Sequence, residues 1–374
     1  MHKKTDENRK MTLETDIMEQ IRDGKLALPS TVITIVGTES RVGSGGRADC
    51  IIDLQWEGKR CRFVAEVKKL ATPRAIQQAM ATVKAMASPP ESYPMIIVPY
   101  LAPARLEELR AAGVSGLDLC GNGVIVVPDK VLILCSGQRN RFPQSAKLRN
   151  IYRGKNSLVA RVFLIQSRFA RVNDIFGLLA KRGGHVVLST VSKVLQRLED
   201  DLIISRADGI RLIQADTLME KLTENYEPPT ITERFRGKCD LSREELCRRL
   251  AVAASTRGGK LMLTGTASVE KLAVYAAEPI TSFYCTSMPA SLLSAANIDA
   301  KETDRFANIE LLRTTDARVY FDPRAESGVP FASPIQAWLE LVVGDKRQKD
   351  AAEQVRRGIL IALGNVREDS THDR

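Results

Sequence analysis

The chain has 374 residues, 44% of them hydrophobic and 27% charged, with a net charge of +10. Such a composition describes a globular protein, too long for one core and sized for roughly two to four domains. No run of about 18 apolar residues occurs, which excludes an ordinary membrane-spanning helix.

The start, MHKKTDENRKMTLETD, is charged and lacks the apolar core of a secretory signal. Three histidines (His2, His185 and His372) and seven cysteines without a C-x-x-C pair are too little for a zinc cluster or a histidine-based triad. Most of the cysteines lie in apolar runs, and they are expected to be buried, reduced thiols of a cytoplasmic protein. Any chemistry falls to carboxylates and lysines.

In chain order, a helix is expected over 13–23. Strands follow over 31–36, 50–56, 60–67, 95–98, 124–127 and 131–135, with helices over 73–86 and 102–112. These make an α/β domain spanning 1–137. Reading Glu57-Gly58 as a two-residue turn pairs Trp56 with Lys59, Asp53 with Arg62 and Asp49 with Glu66. Alternation then sets Lys68 on the same face as Glu66, so Asp49, Glu66 and Lys68 converge. Two carboxylates can hold a magnesium ion, and a lysine beside them can orient or deprotonate a water for attack on phosphorus. The plainer alternative is a salt-bridge ladder on an edge hairpin. Gly43, Gly45 and Gly46 lead into a strand rather than a helix, so they are not a phosphate loop.

A carboxylate followed by Glu-x-Lys at a strand end resembles the active site of the PD-(D/E)xK nuclease superfamily. That resemblance implies a restriction-endonuclease-like domain with candidate catalytic residues Asp49, Glu66, Lys68 and Gln78. It implies Asp49, Glu66 and Glu19 as metal ligands, with Mg2+ as the cofactor of an active site.

Residues 138–156 read as a basic linker. Between Arg139 and Arg197 stand thirteen basic residues and one acidic, a stretch more positive than the whole chain. Within it, Val172, Ile175, Phe176 and Leu179 mark a helix over 172–182, and Gly183-Gly184 a turn. Ser189 is placed to cap a second helix, where Val191, Val194, Leu195 and Leu198 repeat at helical spacing. Two apolar runs around Ala207-Asp208-Gly209 make a hairpin. Helix, tight turn, helix, hairpin is the order of a winged helix-turn-helix, assigned to 157–226. Its polar face offers Ser189, Thr190, Ser192, Lys193, Gln196 and Arg197 to phosphates and base edges, and its wing offers Arg206 and Arg211. Arg139–Lys155 reads as a basic strap joining it to the nuclease-like domain, with Arg149, Arg153 and Lys155 as further candidate DNA contacts.

A C-terminal α/β domain covers 231–366, with helices expected over 242–254, 269–277, 334–343 and 350–363. Strands are expected over 260–263, 282–285, 309–313 and 318–321, and a flexible tail over 367–374. Thr264-Gly-Thr-Ala-Ser268 reads as a capped helix start. Dimerisation or partner contact is this domain's expected role.

Three stretches occur in a familiar order: "IIVPYLAPARLEELRAAGVSGLDLCGNGVIVV" after the Glu-Val-Lys strand, "LSTVSKVLQRLEDDLI" in the basic helix, and "SPIQAWLELVVGDKRQKDAAEQVRRGIL". Together they resemble the larger AbiEi-family antitoxins of type IV toxin–antitoxin systems, which carry a restriction-endonuclease-like domain ahead of the winged helix. Compact members place the winged helix at the N-terminus, whereas here it is central. The resemblance covers most of 30–363 in pieces. It implies a bacterial cytoplasmic regulator that binds double-stranded DNA at its own promoter. It also implies repression of a partner gene, with no direct contact with the toxin. A homodimer is expected. The alternative is a Mg-dependent endonuclease targeted by its winged helix.

Overall fold

The computed structural model describes residues 14–23, 26–42, 46–142, 150–275 and 279–369. The chain divides between Lys147 and Leu148 into two units.

The first unit runs α1 (Glu14–Arg22), β1 (Val32–Val42), β2 (Gly46–Trp56), β3 (Lys59–Val67), α2 (Pro73–Met86), β4 (Tyr93–Val98), α3 (Pro103–Ala111), β5 (Ser115–Asp118), β6 (Gly123–Val127) and β7 (Val131–Cys135). The seven strands lie side by side in chain order. Glu57 and Gly58 both have positive φ (46° and 76°), the backbone of a primed hairpin turn. The turn sets the expected register, with Trp56 opposite Lys59 and Asp53 opposite Arg62. β3, β4 and β5 are parallel, and α2 and α3 are the crossovers that parallel pairing requires. α2 buries Ile76, Ala79, Val83 and Met86 at helical spacing, and Thr72 caps it. One sheet face packs with Ile17 and Ile21 of α1, the other with α2 and α3.

The second unit opens with a 3-10 turn (Gly154–Asn156), α4 (Ser157–Val162), β8 (Arg168–Phe169), α5 (Val172–Lys181), α6 (Leu188–Asp200), β9 (Ile204–Ser205), β10 (Ile210–Leu212) and α7 (Ala215–Glu224). β10 lies between β8 and β9. There follow β11 (Glu233–Lys238), α8 (Arg243–Thr256), β12 (Leu261–Thr264), α9 (Thr266–Val269), β13 (Thr281–Cys285), α10 (Pro289–Ala295), β14 (Lys301–Glu302), β15 (Ile309–Arg313), β16 (Arg324–Glu326), β17 (Val329–Phe331), α11 (Pro334–Val342) and α12 (Lys346–Asp369). Their sheet has the order β14-β11-β15-β13-β12-β17-β16.

One core joins both halves of this unit: Phe163, Ile175, Val191, Leu195 and Leu198 pack in the same cluster as Trp338, Leu341, Val355 and Ile359. α11 is apolar around most of its circumference and is covered on more than one side. The stretches 157–226 and 231–366, expected as separate domains, therefore share a core.

Several expectations are corrected. Residues 318–321 form a turn, not a strand. The Asp316 carboxylate accepts from the Arg318 backbone N–H, and Thr314 Oγ1 from that of Asp316, so local bonds replace a ladder. Of the helix expected over 269–277, only Val269 is helical among the described residues, as the last residue of α9, and 276–277 lie outside them. α12 continues through Asp369, so 367–369 are helical, and the rest of the expected tail lies outside the described residues. The linker is not uniform either, because Ile151 and Tyr152 are core residues of the second unit. Among the described residues no helix is long and apolar enough to cross a membrane. All seven cysteines are free.

Candidate nucleic-acid interface and carboxylate site

α6 buries Val191, Val194, Leu195 and Leu198. The same 3.6-residue period turns Ser189, Ser192, Lys193 and Gln196 outward as an exposed stripe, with Thr190 and Arg197 half-buried at its margins. Ser189 is not the cap. Val187 holds that position, its carbonyl accepting from Thr190 and Val191, and the helix starts two residues earlier than expected. Arg197 lies 3.4 Å from the buried carboxylate of Asp201, which also accepts from the Tyr152 hydroxyl at 2.6 Å. On the hairpin, Arg206 is 4.0 Å from Glu199, and Arg211 is exposed. Arg153 is ion-paired with Glu227, and Lys155 is exposed. Arg149, Gly43 and Gly45 lie outside the described residues.

In the first unit Asp49 sits one place beyond the last β2–β3 pair, Cys50 with Ala65. Its Oδ2 accepts from the Val67 backbone N–H at 2.7 Å, between Glu66 and Lys68. Lys68 Nζ donates to Glu66 Oε1 at 2.6 Å. Both carboxylates act on the neighbouring Cys50 thiol, which is pushed up to about 12, first by burial and then by the charges of Asp49 and Glu66. Gln78 is exposed on α2 and Glu19 exposed on α1. Among the described residues no three His, Cys, Asp or Glu side chains are grouped to hold a metal ion, so Glu19 does not complete a triad with Asp49 and Glu66. The pairing of Asp53 with Arg62 extends to Arg60, and both guanidiniums hold the Asp53 carboxyl below its usual range, Arg62 most strongly.

Two features went unseen in the sequence. Asp118 is a fully buried anchor: its carboxylate accepts from the backbone N–H groups of Leu101, Cys120 and Asn122 and from Asn122 Nδ2, all within 2.7–2.8 Å. Arg161 and Arg182, counted with the basic surface, turn inward. Arg161 is 2% exposed and donates to Gln336 Oε1 at 2.8 Å. Arg182 donates to the buried Asp322 at 2.7 Å. The signal for Arg161 was its setting in Leu158-Val-Ala-Arg-Val-Phe163, apolar on both sides.

Fold and site define a class at one level: a mixed α/β protein with several mixed sheets. No protein-family model and no curated protein matches the chain.

Proposed function

We propose that the chain is a sequence-specific, double-stranded-DNA-binding transcriptional regulator of antitoxin type, carrying a nuclease-like domain. In this reading α5, the Gly183-Gly184 turn, α6 and the β9–β10 hairpin are a winged helix-turn-helix, and residues 1–137 are a restriction-endonuclease-like domain. One observation carries it: α6 packs its apolar face while presenting Ser189, Ser192, Lys193 and Gln196 outward, with the Arg206–Arg211 hairpin following. Amides, hydroxyls and a flexible cation on one helix face suit base edges and phosphates. Anisotropy titrations of the full chain against duplexes selected from a random library test it. Lys193→Ala combined with Arg197→Ala should weaken binding about tenfold or more. Unchanged affinity removes α6 from the interface.

A second reading, a Mg-dependent endonuclease, is favoured by the Asp49–Val67 hydrogen bond, which holds Asp49 at the Glu66–Lys68 strand end. Asp49 and Glu66 are hard oxygen donors of the kind magnesium takes, and an ion that keeps most of its waters needs only one or two carboxylates. Bound there, magnesium would polarise a phosphate oxygen. Lys68 would orient or deprotonate a water once released from Glu66. Plasmid cleavage in magnesium, lost in both Asp49→Ala and Lys68→Ala, supports this reading. No cleavage by the unaltered chain sinks it.

A further inference from the structure

Val187 and Leu188 stand in the open at the start of α6, 65% and 43% exposed. Among the described residues they are the one pair of exposed large hydrophobics adjacent in sequence. Leu188 heads the outward line that continues one and two turns on with Ser192 and Gln196, opposite the buried quartet. Helical side chains lean toward the N-terminus, so Leu188 reaches past the helix end, beside Val187.

We propose that Val187 and Leu188 read the 5-methyl groups of thymines in the major groove, so that the site under the start of α6 contains A·T pairs. This rests on the DNA-binding reading above. The surroundings decide the occupant. Lys181, Lys193 and Arg211 are exposed cations of the same helix-turn-helix and hairpin, with no ion-pair partner among the described residues. An apolar protein face would bury such charges without compensation, whereas a duplex meets them with phosphates. The apolar group that base edges display in the major groove is the thymine methyl. Val187 is β-branched and stiff at χ1, so little side-chain freedom is lost on contact.

Uracil differs from thymine only by that methyl and keeps the same pairing edge. A duplex is first selected from a random library with the full chain, then remade with deoxyuridine for thymidine. The unaltered chain should bind the uracil form more weakly, by about fourfold per contacted methyl. Val187→Ala with Leu188→Ala should bind both forms alike, while Leu188→Met should keep the difference. Thermal melting of each variant checks folding, and the comparison on the unaltered chain needs no variant. Equal affinity of the unaltered chain for both forms overturns the inference and leaves the regulator reading standing. A uracil effect that persists in the double alanine variant assigns the methyl contact to other residues and also overturns it. Failure to enrich any duplex overturns both.

Discussion

Arg161 holds its charge where water does not reach. Burial draws its pKa down to about 10, and its Nε has no partner. Its Nη1 donates to Gln336 Oε1, and Gln336 Nε2 donates in turn to Glu340 Oε1 at 2.8 Å. Thr264 Oγ1 donates to Glu340 Oε2 at 2.6 Å. Burial nevertheless dominates at Glu340 and pushes its carboxyl above the ordinary range, against the hydrogen bonds that lower it. The sign of the consequence follows from proton counting. Between the unfolded pKa and the raised folded pKa, the folded chain binds more protons, so stability falls as pH rises through that window. Glu340→Gln keeps a hydrogen-bonding amide but cannot titrate. Urea midpoints at about pH 5 and pH 8 should therefore differ less for the variant than for the unaltered chain. Equal differences would show that Glu340 is not raised. At this scale the unsatisfied guanidinium is weak evidence of stability, because buried charges cost about as much as they return.

Elements were legible where their causes are local. The β2–β3 register follows from two turn residues and strict alternation, and α6 from four apolar residues at helical spacing. Hence Asp49, Glu66 and Lys68 could be brought together on paper, although the Val67 N–H bond that holds Asp49 could not. β11, Glu-Arg-Phe-Arg-Gly-Lys, carries no strand pattern of its own. It becomes a strand by pairing with β15, where Glu233 faces Arg313, about 80 residues away. At the α6 start a serine at 189 looks like a cap, yet the chain begins its helix at an exposed apolar pair, Val187 and Leu188. The β5–β6 corner draws its strength from one carboxylate gathering four N–H donors from three residues, an arrangement whose reach to Leu101 no local pattern announces. Asp118→Ala would leave those donors buried and unpaired, at about 1–3 kcal/mol each before relaxation. A net loss of about 3 kcal/mol or more is expected in a denaturant titration. A loss under about 1 kcal/mol would mean that water replaces the carboxylate.

At the scale of the whole chain, charge is unevenly spent. Of the thirteen basic residues between Arg139 and Arg197, Arg161 is buried, Arg182 holds Asp322 and Arg153 holds Glu227. The count of cations able to meet phosphates is therefore smaller than composition implies. Lys155, Arg168, Lys181, Lys193 and Arg211 are exposed, and Arg197 and Arg206 are shared with acids at 3.4 and 4.0 Å. A surface engaging about six phosphates should lose about a thousandfold in affinity between about 50 and 200 mM salt. The variants separate surface from interior. Lys193→Ala should reduce the log–log salt slope by about one. Arg161→Met removes the same formal charge from the same segment, yet should leave the slope unchanged while altering the urea midpoint. If both substitutions lowered the slope alike, binding would follow net charge and not the face of α6. A slope near zero for the unaltered chain would remove phosphate contact from its function altogether.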